Sequence, residues 1–193
     1  MTVILPPLKD RVRRPVQILF VGINPGVRSA TIGHHFAGYS NRFWKLLYDS
    51  RLVDEPIKAE DDGRLPEWGL GITNLIARMT PGIDALRPEE YSSGERVLRR
   101  KVRRWRPRVV AFLGVTLFRT VFRRGAGDRV ALGQQHETFE GARVFVLPNP
   151  SGRNANFSYD DMLAAFRRLR PLARRPRAGA TAARIVKVIS PPR

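Results

Sequence analysis

Four short, largely apolar runs, three of them cut off by a glycine or proline, alternate with helical segments along this chain. Val16 to Val21 runs into Gly22, and Leu70 to Leu75 follows a polar stretch. Val109 to Leu113 stops at Gly114, and Arg143 to Leu147 stops at Pro148. Short apolar runs without polar alternation suit strands buried on both faces. Strands of this kind alternating with helices predict an α/β fold, a parallel sheet covered on both sides. In such folds the functional crevice lies beyond the carboxyl ends of the strands.

The intervening segments carry helix signals. Ser40 is placed to cap a helix whose face is Phe43, Leu46, Leu47 and Ser50. Residues 54–67 are polar and irregular, and Thr80-Pro81-Gly82 reads as a turn. Ser92-Ser93-Gly94-Glu95 has capping-box spacing and is expected to open a long helix ended by Pro107. Its apolar stripe is Leu98, Val102 and Trp105, and its other face is rich in arginine, which either faces DNA or, the reading preferred here, is a solvated outer face. A short helix is expected from Thr116 to Phe122. Phe139 to Gly141 suggests a hairpin turn, and Ser158 caps a last helix with Met162, Leu163, Phe166 and Leu169 inward.

Three loops therefore meet at one sheet edge: "GINPG" after Val21, "TNLIARMTPG" near Asn74, and "PNPSGRNANFS" after Leu147. In the first, Gly22 and Gly26 are expected to allow close backbone approach, and Pro25 stiffens the bend. Asn24 is thereby held at a strand tip with both a donor and an acceptor to offer. Phe36, in "HHFAGYSNRFWK", is an aromatic able to stack on a planar ligand. The third loop repeats the design with Asn149, Pro150 and Gly152, and sets Arg153 at its tip. Such a tip can enter a duplex and fill the space of a displaced base. The ordinary alternatives stay open: Asn24 bonding only local backbone, and Arg153 as one more surface arginine. Neither nucleotide-loop pattern, Gly-x-x-x-x-Gly-Lys-Ser/Thr or Gly-x-Gly-x-x-Gly, is present.

Composition narrows the partner. Lys and Arg number 35 against 17 Asp and Glu, a net charge of +18, which favours a polyanion such as a phosphate backbone. Genome composition and solubility are the competing explanation. With no cysteine, a disulfide framework, a Cys-based zinc site and a thiol nucleophile are excluded, in keeping with a reducing, cytoplasmic setting. No apolar run reaches membrane-span length, and no secretory leader is expected. Three segments are expected: a basic lead-in at 1–15, a domain at 16–172, and a basic, weakly ordered tail at 173–193 in which Ile185 to Ile189 could add a strand.

"VGINPG", "FAGYSNRFWK" and "LPNPSG", in that order and at this spacing, resemble the mismatch-specific uracil/thymine DNA glycosylases of the uracil-DNA glycosylase superfamily. The resemblance covers Val16 to Leu169. It implies a three-layer α/β/α sandwich with a central, mainly parallel sheet. It also implies removal of uracil, and in some members thymine, mispaired with guanine, with no metal and no cofactor. By resemblance Asn24 positions the hydrolytic water, Phe36 stacks on the flipped base, and Ile23 and Ser29 shape the pocket. Asn74 joins them as a base-binding residue. Asn149, Ser151, Gly152 and Arg153 match the loop that inserts into DNA. Arg153 replaces the leucine usual in the bacterial mismatch-uracil branch, and "TNLIARMTPG" also looks more like the thymine-acting branch.

The chemistry asks for a flipped nucleotide, a positioned water and donors for an anionic leaving base. An amide does not titrate in this range, so Asn24 orients water without deprotonating it. Asp84, just after Thr80-Pro81-Gly82, is the carboxylate considered as a helper, its ordinary role being a turn or capping aspartate. His34 and His35 could bond a base carbonyl but are read in preference as packing or surface residues. Neither strand-end motif, "VGINPG" or "LPNPSG", contains a lysine for a Schiff base, so no strand cleavage is expected. The expected partner is double-stranded DNA with G·U, or G·T, mispairs, met by a monomer on nucleoid DNA. A noncatalytic nucleic-acid binder and a glycosylase for other deaminated bases are the alternatives.

Overall fold

The computed structural model describes residues 6–173. The expected tail and its strand lie outside the described residues. One five-stranded sheet runs through the protein in the order β2-β1-β3-β5-β4. Its strands are β1 (Ile18–Gly22), β2 (Leu70–Asn74), β3 (Val109–Leu113), β4 (Gly133–Phe139) and β5 (Ala142–Leu147). The first three and β5 are parallel, with Ile18 opposite both Leu70 and Val109, and Val109 opposite Arg143. Only β4 is antiparallel, joined to β5 by the hairpin at Glu140-Gly141.

The helices are α1 (Val27–Ile32), α2 (Phe43–Asp49), α3 (Pro88–Trp105), α4 (Val115–Val121), α5 (Tyr159–Arg167) and α6 (Arg170–Ala173). Alternate residues of a strand point to opposite faces, and β1 shows the result. Ile18 and Phe20 join a core with α2 and α5, while Leu19 and Val21 join a second core with α3 and α4. All four are fully buried. This is the α/β/α sandwich expected from the alternation of apolar runs and helices. Phe20 sits edge-on to Phe43 at 5.2 Å and stacks on Phe166 at 6.2 Å. Each such pair adds about 0.5–1.5 kcal/mol beyond its area burial.

Several local expectations shift. Arg42 stands at the N-cap of α2, the first helical N–H, that of Phe43, is met by Asn41 Oδ1 at 3.0 Å, and Ser40 instead packs against Gly152. Helix α3 begins at Pro88, ahead of the Ser92 box, because Pro88 stands in its first turn and the Glu90 carboxylate accepts the Arg87 N–H at 2.9 Å. Ser93 then lies within the helix, its Oγ donating to the Glu90 carbonyl. The stretch read as irregular contains a 3-10 helix, Ala59–Trp68.

Ser158 does cap α5, its Oγ accepting the Asp161 N–H at 3.1 Å. The basic face of α3 is partly tied to acids of the helix itself, of the β4–β5 hairpin and of the chain ahead of β1. Arg99 pairs with Glu95 and Glu140, Arg103 with Glu140, and Lys101 with Asp10. Near the start of the described chain, Arg11 pairs backbone to backbone with Ile72 on β2.

Candidate active site

The carboxyl ends of β1, β2, β3 and β5 open into one cleft of about 750 Å³. All ten residues nominated from the sequence line it: Ile23, Asn24, Ser29, Phe36, Asn74, Asp84, Asn149, Ser151, Gly152 and Arg153. The loops after β1 and β2 stay zipped beyond the strands. Leu75 N–H donates to Gly22 O and Ile76 N–H to Ile23 O, both at 2.8 Å. A Cβ on Gly22 would stand 2.6 Å from Asn74 Oδ1 and 3.1 Å from the tip of the Phe36 ring, so glycine is what lets those two side chains share the pocket. Gly26 differs from its expected role. Its backbone is in the β region (φ −75°) and a Cβ there would meet nothing within 4 Å.

The orientation of the Asn24 amide follows from its partners. Pro25 O at 3.1 Å and Arg78 O at 3.4 Å can only accept, so the group facing them is Nδ2. Nδ2 also donates to Thr80 Oγ1 at 2.7 Å, and that hydroxyl passes its own proton to Gly82 O at 2.6 Å. Thr80 is 2% exposed, so its hydroxyl is shielded from water. No described residue donates to Asn24 Oδ1, which remains an acceptor on a half-buried side chain in the cleft. The purely local reading of Asn24 fails, because its strongest bond crosses to a residue 56 positions away. Thr80 is the residue sequence reasoning missed. Its signal was "MTPG", read only as a turn.

Phe36 is presented by a heavily braced loop. Its own φ is +50°, a left-handed conformation costing about 1–3 kcal/mol for a residue other than glycine. Asp62, 1% exposed, supplies the compensation. One carboxylate oxygen pairs with Arg11 Nε at 2.8 Å and His34 Nδ1 at 3.1 Å, and the other accepts the His35 N–H at 3.0 Å. The Trp44 indole donates to His35 O, and Ser29 Oγ accepts the Ala37 N–H at 3.0 Å. Ser29 thus shapes the pocket from behind, with its hydroxyl engaged. The Phe36 ring rests on Phe43, centroids 4.6 Å apart.

His35 is almost fully buried, and burial pushes its pKa below the usual 6.5. Its Nε2 faces the Lys9 carbonyl at 3.1 Å and so carries the hydrogen. Both histidines brace the loop, as the sequence suggested. Asn74, half-buried beside Gly22, has an amide with no partner among the described residues.

Across the cleft, Asn149 Oδ1 accepts the Ser151 N–H and Asn149 O accepts from Asn154 Nδ2 at 2.8 Å, closing the 149–154 loop on itself. Pro150 O accepts the Arg42 N–H at 2.9 Å, which ties the loop to the start of α2. A Cβ on Gly152 would lie 2.7 Å from Ser40 O, so this contact requires glycine. Arg153 is exposed and reaches Pro81 O at 3.4 Å, spanning the cleft mouth from one loop to the other. Asp84 sits exposed in the 3-10 turn Ile83–Ala85, at the rim, with no hydrogen bond or ion pair among the described residues.

Fold and site define a class: a doubly covered parallel sheet whose carboxyl edge carries an oriented asparagine, a braced aromatic and a loop tipped with arginine. The profile of the uracil DNA glycosylase superfamily matches residues 10–170. The chain is 41% identical over 147 residues to a G/U mismatch-specific uracil DNA glycosylase of Schizosaccharomyces pombe, an alignment covering 72% of this chain and 45% of that protein. The chain therefore spans about half the length of that curated relative. Its fold is shared with a solution NMR structure of a candidate uracil DNA glycosylase from Methanosarcina acetivorans. The TM-score is 0.59 at 19% identity, over 87% of this chain and 99% of that one. The protein belongs to the uracil DNA glycosylase superfamily.

Proposed function

We propose that the protein is a monofunctional DNA glycosylase that hydrolyses the N-glycosidic bond of uracil mispaired with guanine in duplex DNA. It would act as a monomer, with thymine as the second pyrimidine admitted. The observation that carries this reading is the Asn24–Thr80 pair. Nδ2 is committed to Thr80 and two backbone carbonyls, so Oδ1 is the end left to face a water.

A wobble mispair is easier to open than a matched pair, so flipping itself selects. The extruded base stacks on Phe36, and Asn74 offers its free amide to the base edge. Asn24 Oδ1 accepts a hydrogen bond from the water and aims its oxygen at the sugar C1′. As the bond to the base nitrogen breaks, its electron pair leaves with the base. The water oxygen bonds to C1′, and the water's proton goes to solvent and finally to the base anion. No residue here takes that proton at the moment of attack, so the site works by positioning, and the rate enhancement comes from orientation of the water and the flipped nucleotide. Arg153 enters the stack from which the base has gone.

Single-turnover excision from G·U, A·U, G·T and single-stranded uracil oligonucleotides tests the assignment. Abasic product forming fastest from G·U is the expected result. Equal rates on G·U and A·U would remove mispair selectivity, and nicked product would remove the monofunctional assignment.

A further inference from the structure

Among the described residues, five large apolar side chains stand exposed: Val27, Tyr39, Tyr48, Ile83 and Val97. Val27 and Ile83 line the cleft, and Tyr39 lies between Gly38 and Ser40, which also line it. Tyr39 is 90% exposed, more than any of the others. Its ring is nonetheless held in place. The Arg28 guanidinium covers one face, with Cζ 3.9 Å from the ring centroid, and Arg28 Nη1 donates to the Tyr39 hydroxyl at 2.7 Å. Arg28 is fixed in turn by its Nε bond to Ala37 O at 2.8 Å. The opposite face of the ring is left to solvent. On the far side Ser40 packs on Gly152, so this platform abuts the loop that carries Arg153.

We propose that Tyr39, braced by Arg28, is a second base-stacking platform that takes an unpaired nucleobase adjoining the flipped nucleotide. The proposal rests on the reading that Phe36 receives the flipped base. Tyr39 is three residues beyond Phe36, within about 10–11 Å along the chain. Neighbouring nucleotides of one strand rise about 3.4 Å each, so the two backbone positions are separated by no more than about three base steps. Flipping a nucleotide and inserting Arg153 unstack the neighbouring step, which exposes a base face beside the cleft. An aromatic ring backed by arginine receives such a face whatever the base, because every base has a π-face. The site would hold the opened state of a duplex, and it would hold uracil in single strands as well.

The test is equilibrium binding of the full chain to single-stranded oligonucleotides carrying a non-hydrolysable 2′-fluoro-deoxyuridine. One set has natural bases on both sides, and the other has abasic spacers there. Stacking worth about 1–3 kcal/mol per base corresponds to roughly 5–150-fold in affinity. Tyr39→Ala should weaken binding at least about fivefold on the first set, Tyr39→Phe should stay within about twofold, and the spacers should abolish the difference. Equal affinity of wild type and Tyr39→Ala overturns the proposal. A loss that persists with spacers also overturns it, since the contact is then to the backbone. Phe36→Ala run in parallel keeps the two readings apart. A loss there without a Tyr39 effect leaves the flipped-base pocket standing, whereas absence of excision by the wild type from hydrolysable deoxyuridine oligonucleotides, measured separately in single turnover, removes the glycosylase reading and leaves the binding result intact.

Discussion

The two ends of the Asn24 amide differ: Nδ2 holds the loop, and Oδ1 has no partner among the described residues. That difference depends on Thr80, whose buried hydroxyl accepts from Nδ2 and donates to Gly82 O. Thr80→Val removes the hydroxyl at similar size. Nδ2 keeps only its two carbonyl partners and the amide gains freedom to turn. Loss of one oriented hydrogen bond, about 1–3 kcal/mol, predicts a single-turnover rate roughly 5–150-fold lower with DNA affinity little changed. A parallel loss of affinity would point to general damage instead. Asp84 is the contrasting residue. It is exposed at the rim with nothing to fix its carboxylate, so Asp84→Asn should alter the same rate by less than about threefold. A larger drop with intact binding would bring Asp84 into the mechanism. Asn24 was legible in "GINPG" because a strand-end glycine, Gly22, and Pro25 around one asparagine announce a constrained polar group. Thr80 and Asp62 were not legible. Their roles arise from partners tens of residues away, and neither periodicity nor turn chemistry carries that information.

At the scale of elements, the loop that holds Thr80 is pinned to α3 by one ion pair. Arg78 donates through Nε and Nη2 to both oxygens of Glu90, each at 2.8 Å, and to Ala85 O. The Arg78 guanidinium, with the Arg87 N–H, holds the Glu90 carboxyl down to about 2 from its ordinary 4.5. A carboxylate with a depressed pKa favours the fold above the unfolded value and loses that contribution as pH falls. Thermal stability should therefore decline between about pH 4.5 and pH 2 as this pair titrates. Glu90→Gln should flatten that part of the profile, and an unchanged profile would show that the pair does not couple to the fold. The same carboxylate explains why the start of α3 was misread. Glu90 three residues after Arg87, with Pro88 between them, is a stronger start than Ser92 to Glu95, but arginine is not a residue that announces a cap. The parallel strands were legible from their apolar runs. The edge strand β4 was visible only as its hairpin turn, because Gln134 to Thr138 are polar and mostly exposed, as an edge allows.

For the whole molecule, a charge of +18 predicts DNA binding that weakens steeply with salt. Residues 174–193, outside the described structure, hold six basic residues and no acid. Their removal should flatten the salt dependence while leaving the preference for G·U in place, and an unaltered slope would locate the backbone contacts in the folded part. The sandwich and the meeting of three loops at one edge were legible because sheet topology follows from the alternation of strands and helices. Which amide faces which hydroxyl was not, since that is decided by packing between loops. The central claim is that Asn24 orients water for hydrolysis of a flipped uracil. Single-turnover release of uracil from a G·U duplex, wild type against Asn24→Ala, tests it most directly. Abasic product from the wild type and a rate lower by about a hundredfold or more in Asn24→Ala, with DNA still bound, is the predicted result. No abasic product from the wild type, or an undiminished rate in Asn24→Ala, would contradict it.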